Sequence, residues 1–170
     1  MRKKQFIHHL LAERDKFERL LNQLGFARMI TTAGVAGQWS VKDIIAHIMS
    51  YEQYTADRMA EILHGESYVP ARTYQALESF CEKFGYPDFG SSLLDDDGPN
   101  AWIVEKYKNI SLDDIVSHEI QAFNAIIAGI ETLTEKQLDQ HGLFESITRN
   151  TAQHYREHSR DIERWLASIG

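Results

Sequence analysis

Eight histidines stand in this 170-residue sequence, and two of them, His154 and His158, lie four residues apart in a stretch with helical periodicity. Residues at i and i+4 share a helix face with Cβ atoms about 5–6 Å apart, close enough for two imidazoles to reach one cation. His158 falls on the apolar seam through Thr151, Tyr155, Ile162 and Trp165, and His154 borders it. The pair is therefore expected to point inward or to the edge of the core. His47 lies one turn from Ile44 and Tyr51, beside Val41, Ile45 and Ile48, so it too can face the interior. A third imidazole from a neighbouring helix completes a three-ligand site with an open position for water or substrate. A metal also satisfies ring-nitrogen lone pairs that are costly to bury bare. The same spacing suits ordinary core-edge histidines hydrogen-bonded to carbonyls or tyrosines, and spacing does not choose between these readings.

Other chemistry has thinner support. Residues 154–158 read His-Tyr-Arg-Glu-His, which fits the H-x-x-E-H string of inverted zinc peptidases. Those enzymes need a carboxylate ligand well downstream, and twelve residues follow His158. Glu119 lands among Ile115, Val116, Ala122 and Phe123. It is read as a stripe-edge, solvent-facing carboxylate, with a fourth ligand or a base of raised pKa as the alternative. Glu52, one turn beyond Ile48, carries the same ambiguity. His64 ends a predicted helix and complements its dipole, while His8, His9, His118 and His141 follow no spacing logic. Cys81 continues the apolar pattern of Leu77 and Phe80 and is read as a core thiol. The sequence contains no Gly-rich phosphate loop, no G-x-S-x-G elbow and no zinc-knuckle spacing.

Helices are needed to hold such residues, and the hydrophobic pattern supplies them. Phe6, Ile7, Leu10, Leu11, Phe17, Leu20, Leu21 and Leu24 recur at three- and four-residue steps, predicting a first helix over 3–25. Thr31 to Gly37 reads as a loop. Ser40 opens a capping-box-like start with Asp43, and the second helix runs to His64, stopped by Gly65. The pattern then decays over 66–98, a connection too long for a plain bundle loop, with one short helix over 71–84. Its Tyr68, Tyr74, Phe80, Phe84, Tyr86 and Phe89 are expected to border a pocket near His47. A short helix over 99–108 follows. Ser111 starts a third long helix through Ile115, Val116, Ile120, Phe123, Ile126, Ile127 and Ile130, and Thr134 opens a brief one. The fourth long helix is placed at about 147–168, with Tyr155, Ile162, Trp165, Leu166 and Ile169 as its seam. The expected architecture is all-α: a single domain over 1–170, built as a four-helix bundle with a long connection between helices two and three.

Composition bounds the rest. A chain of this size buries roughly 70% of its unfolded surface, so any metal is expected to be functional rather than a staple. The balance of 25 acidic against 18 basic residues, net −7, has the wrong sign for nucleic acid or an acidic membrane surface. Eight carboxylates between Asp88 and Glu119 face two lysines there, while the first thirty residues are net positive, an asymmetry that permits self-complementary contact. The lone Cys81 excludes an intrachain disulfide and fits a reducing compartment. The apolar stretch after Arg2, Lys3 and Lys4 is cut by His8, His9, Glu13 and Arg14, so no signal core forms. No apolar run approaches the roughly 20 residues of a membrane span, and the expected location is the cytoplasm.

Two segments carry a family likeness: Gly-Gln-Trp-Ser-Val-Lys-Asp-Ile-Ile-Ala-His at 37–47 and Asn-Thr-Ala-Gln-His-Tyr-Arg-Glu-His-Ser-Arg-Asp-Ile at 150–162. With them, the chain resembles the DinB-like superfamily. Asn150-Thr151-Ala152 before His154-Tyr155, and Asn100-Ala101-Trp102 ahead of helix three, make it most similar to the ClbS/DfsB branch. The resemblance implies a four-helix bundle and a divalent metal held by three histidines, matching His47, His154 and His158. Zinc, nickel or iron suits imidazole ligands. It further implies action on an electrophilic small molecule, of hydrolase or thiol-dependent transferase type, and a homodimer. The alternative is a non-catalytic small-molecule binding or self-protection protein in which the histidines are structural. The fold alone fixes no reaction.

Overall fold

Ser40 sets the entry to the helix that carries His47. Its hydroxyl accepts from the Asp43 amide at 3.1 Å while the Asp43 carboxylate accepts from the Ser40 amide at 2.9 Å, a reciprocal box that satisfies two orphan donors. The computed structural model describes residues 2–25, 35–95 and 97–169. Within them the elements are α1 (Arg2–Leu24), α2 (Val41–Leu63), α3 (Tyr74–Phe84), α4 (Gly98–Tyr107), α5 (Leu112–Thr132), α6 (Glu135–Gln140), α7 (Leu143–Asn150) and α8 (Ala152–Ile169). The fold is all-α: no strand forms among the described residues, only an isolated bridge between Ala36 and Trp39. Of the predicted Thr31–Gly37 loop, residues 31–34 lie outside the described residues.

Four long helices, α1, α2, α5 and α8, pack around one core that includes Leu10, Ile44, Ile48, Ile126, Ile130 and Ile162. The pair α2 and α5 makes the most extensive contact, and α1 packs chiefly on α8. Gly129 permits the α2–α5 approach, since a Cβ there would come within 2.6 Å of Met59 Cε. Ser111 caps α5 and Thr134 caps α6 through a second capping box. Gly85, at φ +80°, ends α3 in the left-handed conformation that glycine adopts without strain. No described helix is long and apolar enough to cross a membrane.

The fourth long helix differs from its predicted span. It breaks at Thr151, whose φ −124° and ψ −94° are not helical, leaving α7 and α8 as separate pieces. The Thr151 hydroxyl donates to the Ile147 carbonyl at 2.6 Å, a back-bond that competes with regular helix. The Thr151 carbonyl then accepts from the Tyr155 amide at 2.8 Å and begins α8. Leu11, Ile120 and Ile169, read as seam residues, are exposed, because the seam is narrower than the apolar pattern. Tyr74 is 74% exposed and borders no pocket near His47.

Candidate metal centre

The interior face of α2 delivers His47 and that of α8 delivers His154, both buried, while His158 is half-buried one turn further along α8. Ligand atoms of the three lie within 4.8 Å of one another, the one such grouping of His, Cys, Asp or Glu among the described residues. The Nε2 atoms of His47 and His154 are 2.8 Å apart. His158 Nδ1 sits 3.2 Å from Asp161 Oδ2, a carboxylate that fixes ring orientation and leaves Nε2 available. Trp39 lies 4.9 Å from the His47 ring and 6.4 Å from the His158 ring, and Tyr51 lies 5.0 Å from His47 and 5.4 Å from His154. Aromatic surface thus walls the cluster on two sides.

The electrostatics favour neutral rings. Burial, with the neighbouring His158, pushes His47 down to about 3, while the Asn100 side chain acts in the opposite direction. Burial and the other two imidazoles hold His154 well below the usual range, opposed by the Asn150 backbone. Burial also lowers His158, with Asp161 and Glu157 opposing.

Neutral rings leave a difficulty that the protein does not resolve by itself. Nδ1 of His47 and of His154 is buried with no well-aligned hydrogen bond. If one Nε2 carries the proton that bridges the 2.8 Å gap, the Nδ1 of that ring is a bare buried lone pair. If both rings carry their protons on Nδ1, two Nε2 lone pairs face each other. A cation between the Nε2 atoms removes the second conflict, and three imidazoles are a donor set that borderline divalent metals accept. Two ligands about 2.1 Å from one tetrahedral ion stand roughly 3.4 Å apart, so the pair needs to open by only a few tenths of an ångström.

The connection between α2 and α4 reaches the cluster through one ring. Phe89 stacks on Tyr51 at 3.9 Å, and Tyr51, Tyr54, Tyr68, Phe89 and Asn150 help line a cavity of about 550 Å³ that shares Tyr51 with the cluster but is not lined by His47, His154 or His158. Phe80 and Phe84 instead gather around the Arg58 guanidinium, at 5.2 and 4.6 Å, and Tyr86 packs against both. Asp88, fully buried, ties the connection down by accepting from the Ala71 amide at 2.8 Å and from the Tyr68 hydroxyl.

Glu119 and Glu52 do not join the histidines, and neither faces solvent. Glu119 is 6% exposed and ion-paired with Arg14; Glu52 is fully buried and accepts from the Tyr155 hydroxyl at 2.6 Å. Arg14 Nη1 also donates to Tyr155 Oη at 3.0 Å, and its Nε donates to Glu18 at 2.9 Å. Burial raises Glu52, with the Glu119 charge adding to it and Arg14 and Tyr155 opposing. Glu119 is raised by burial against the opposing Arg14. For Arg14, burial acts downward, but Tyr155, Glu119 and Glu52 outweigh it and hold the guanidinium charged. Sequence reading missed this cluster because Arg14 sits at a position its pattern treats as an interruption. The available signal was spacing: Leu10, Arg14 and Phe17 occupy one face.

A scan against protein-family models and a search of curated proteins each return no match for the chain. Solved structures do match. One, an uncharacterised protein of Escherichia coli UTI89, aligns with a TM-score of 0.69 at 14% identity, over 98% of this chain and 94% of that one. Another, an uncharacterised protein of Clostridium difficile 630, aligns with a TM-score of 0.69 at 11% identity, over 97% and 95%. At these identities the likeness is one of fold.

Proposed function

We propose that this chain is a DinB-like, four-helix-bundle protein of ClbS/DfsB type that binds one divalent transition metal through His47, His154 and His158 and acts on an electrophilic small molecule. The observation that carries the reading is the close approach of two buried, neutral imidazoles whose Nε2 atoms face each other at 2.8 Å with a third imidazole beside them. Zinc, nickel or iron fits the donor set. Bound there, such an ion supplies Lewis-acid activation of a water or a low-molecular-weight thiol.

The remaining roles belong to the chain's own residues. Asp161 orients His158, and the Asn100 side chain and Asn150 backbone act on His47 and His154 from outside the cluster. Trp39 and Tyr51 exclude bulk water from the imidazole faces. The cavity of about 550 Å³ beyond Tyr51 has the size and aromatic lining of a small-molecule pocket.

Metal analysis of protein purified without a polyhistidine tag tests the reading. About one ion per chain is expected, falling to background in His47→Ala and in His158→Ala. Unchanged stoichiometry in both variants, or no metal in the parent after supplementation, would leave non-catalytic sequestration of a small molecule in the aromatic cavity.

A further inference from the structure

A polar cavity of about 280 Å³ opens where α2, the turn after α3, α4 and α5 come together, and none of His47, His154 and His158 lines it. Asp57 and Lys106 both do. Each of these charges is held in place by neutral partners. The Asp57 carboxylate accepts from Gln53 Nε2 at 3.0 Å and from the Tyr86 hydroxyl at 2.6 Å. The Lys106 ammonium donates to the Gly85 carbonyl and lies 5.1 Å from the Trp102 ring and 5.0 Å from the Tyr107 ring. A Cβ at Gly85 would stand 3.0 Å from Lys106 Nζ, so the glycine that ends α3 also gives the ammonium its room. Neither Asp57 nor Lys106 makes an ion pair among the described residues. Asp57 is half-buried and Lys106 exposed, so neither is sealed off from the cavity it lines.

Pinning a long side chain costs rotamer entropy, and a partly desolvated charge with no counter-ion costs solvation as well. Burial lowers Lys106, with Cys81 opposing. Two charges of opposite sign on one cavity, not paired with each other, are both satisfied by a ligand that carries the complementary pair. We infer that this cavity, separate from the proposed metal centre, binds a small zwitterion of the amino-acid class, its ammonium donating to Asp57 and its carboxylate accepting from Lys106. His118 lines the same cavity and offers a second donor to the carboxylate. A simple amine leaves Lys106 without an anion, and a simple carboxylate leaves Asp57 without a cation. Since a cavity of roughly 150 Å³ accepts benzene, the space suits a single amino acid rather than a peptide.

The probes are glycine, γ-aminobutyrate and 6-aminohexanoate, which set the two charges at increasing separation, with butylamine and butyrate as controls that each keep one charge. They are titrated calorimetrically at neutral pH into the full chain, stripped of metal on a chelating resin so that the histidine cluster plays no part. The zwitterion whose separation fits should bind saturably, one per chain, about tenfold or more tighter than either control, as the loss of a charge-assisted hydrogen bond implies. Lys106→Met, at an exposed position, should weaken it by a similar factor and remove its preference over butylamine. Asp57→Asn should weaken it likewise and remove its preference over butyrate, whereas His154→Phe should leave binding unchanged. No binding of any zwitterion by the parent, equal affinity for either control, or undiminished binding to Lys106→Met would overturn the inference. If Asp57→Asn does not fold, Lys106→Met and the two controls decide it. Loss of binding in His154→Phe would place the zwitterion at the histidines and likewise overturn it.

Discussion

Adjacent residues of α8, His154 and Tyr155, enter two polar clusters of opposite character. On one side His154 meets His47 and His158: three rings held neutral by burial, with the Nε2 atoms of two of them 2.8 Å apart. On the other, Tyr155 joins Arg14, Glu52 and Glu119 in a network built around a full charge. Both draw on α2 and α8, with α1 and α5 adding Arg14 and Glu119 to the ionic one, and His47 and Glu52 are little more than one turn apart on α2. The ionic cluster brings its own cation, so part of its burial is compensated from within the chain, although Glu52 Oε1 and Glu119 Oε2 are buried without a well-aligned hydrogen bond. The imidazole cluster carries no charge of its own, and its rings meet one another, the Asn100 side chain and the Asn150 backbone. The contrast separates a polar core organised around a cation of the chain's own from one made of neutral donors.

The largest effect is expected from Arg14→Met, which leaves Glu52 and Glu119 buried without their cation. Urea unfolding at pH 7 should show a loss of about 3–5 kcal/mol. That loss should shrink toward pH 4, because both carboxyls are raised and become neutral early in acid. A loss below about 1 kcal/mol at pH 7 would mean that the ionic cluster does not close on itself, and the contrast would fail.

An intermediate effect belongs to the imidazoles. The unfolded chain protonates His47 at its ordinary 6.5 and the folded chain only near 3, so in EDTA stability falls as pH drops through that window. By pH 4.5 this single group contributes a loss of about 2–3 kcal/mol. His47→Phe should flatten the acid limb by that amount relative to the parent, and parallel pH profiles for the two proteins would show that His47 stays accessible to protons.

The smallest effect tests the shared support. Ser40→Ala removes the cap of α2, the helix that carries both His47 and Glu52, and should cost about 1 kcal/mol. Thermal unfolding should shift by the same amount in the parent and in the Arg14→Met background. Unequal shifts would mean that α2 positions one cluster more firmly than the other.

Much of the local structure was legible because it depends on neighbours in sequence. The capping residues Ser40, Ser111 and Thr134 stand where their helices start, since an orphan amide is satisfied by a side chain within three residues. The break at Thr151 was not legible. A Thr back-bond to Ile147 competes evenly with regular helix, and the surrounding packing decides which wins. Phe89 and Tyr74 read alike as loop aromatics, yet one stacks on Tyr51 and the other stands in solvent.

The sequence by itself determined an all-α chain, the boundaries of most of its helices, and the placing of His154 and His158 on one face, because helical geometry converts a spacing of four into proximity. Tertiary structure decided which groups meet across helices. It brings His47 within 2.8 Å of a ring 107 residues away and threads Arg14 to a tyrosine 141 residues away. Hydrophobic periodicity tells a helix which face to bury but not what waits opposite it. A charged residue at the margin of that face, such as Arg14 or Glu119, goes inside only when another helix supplies its counter-charge.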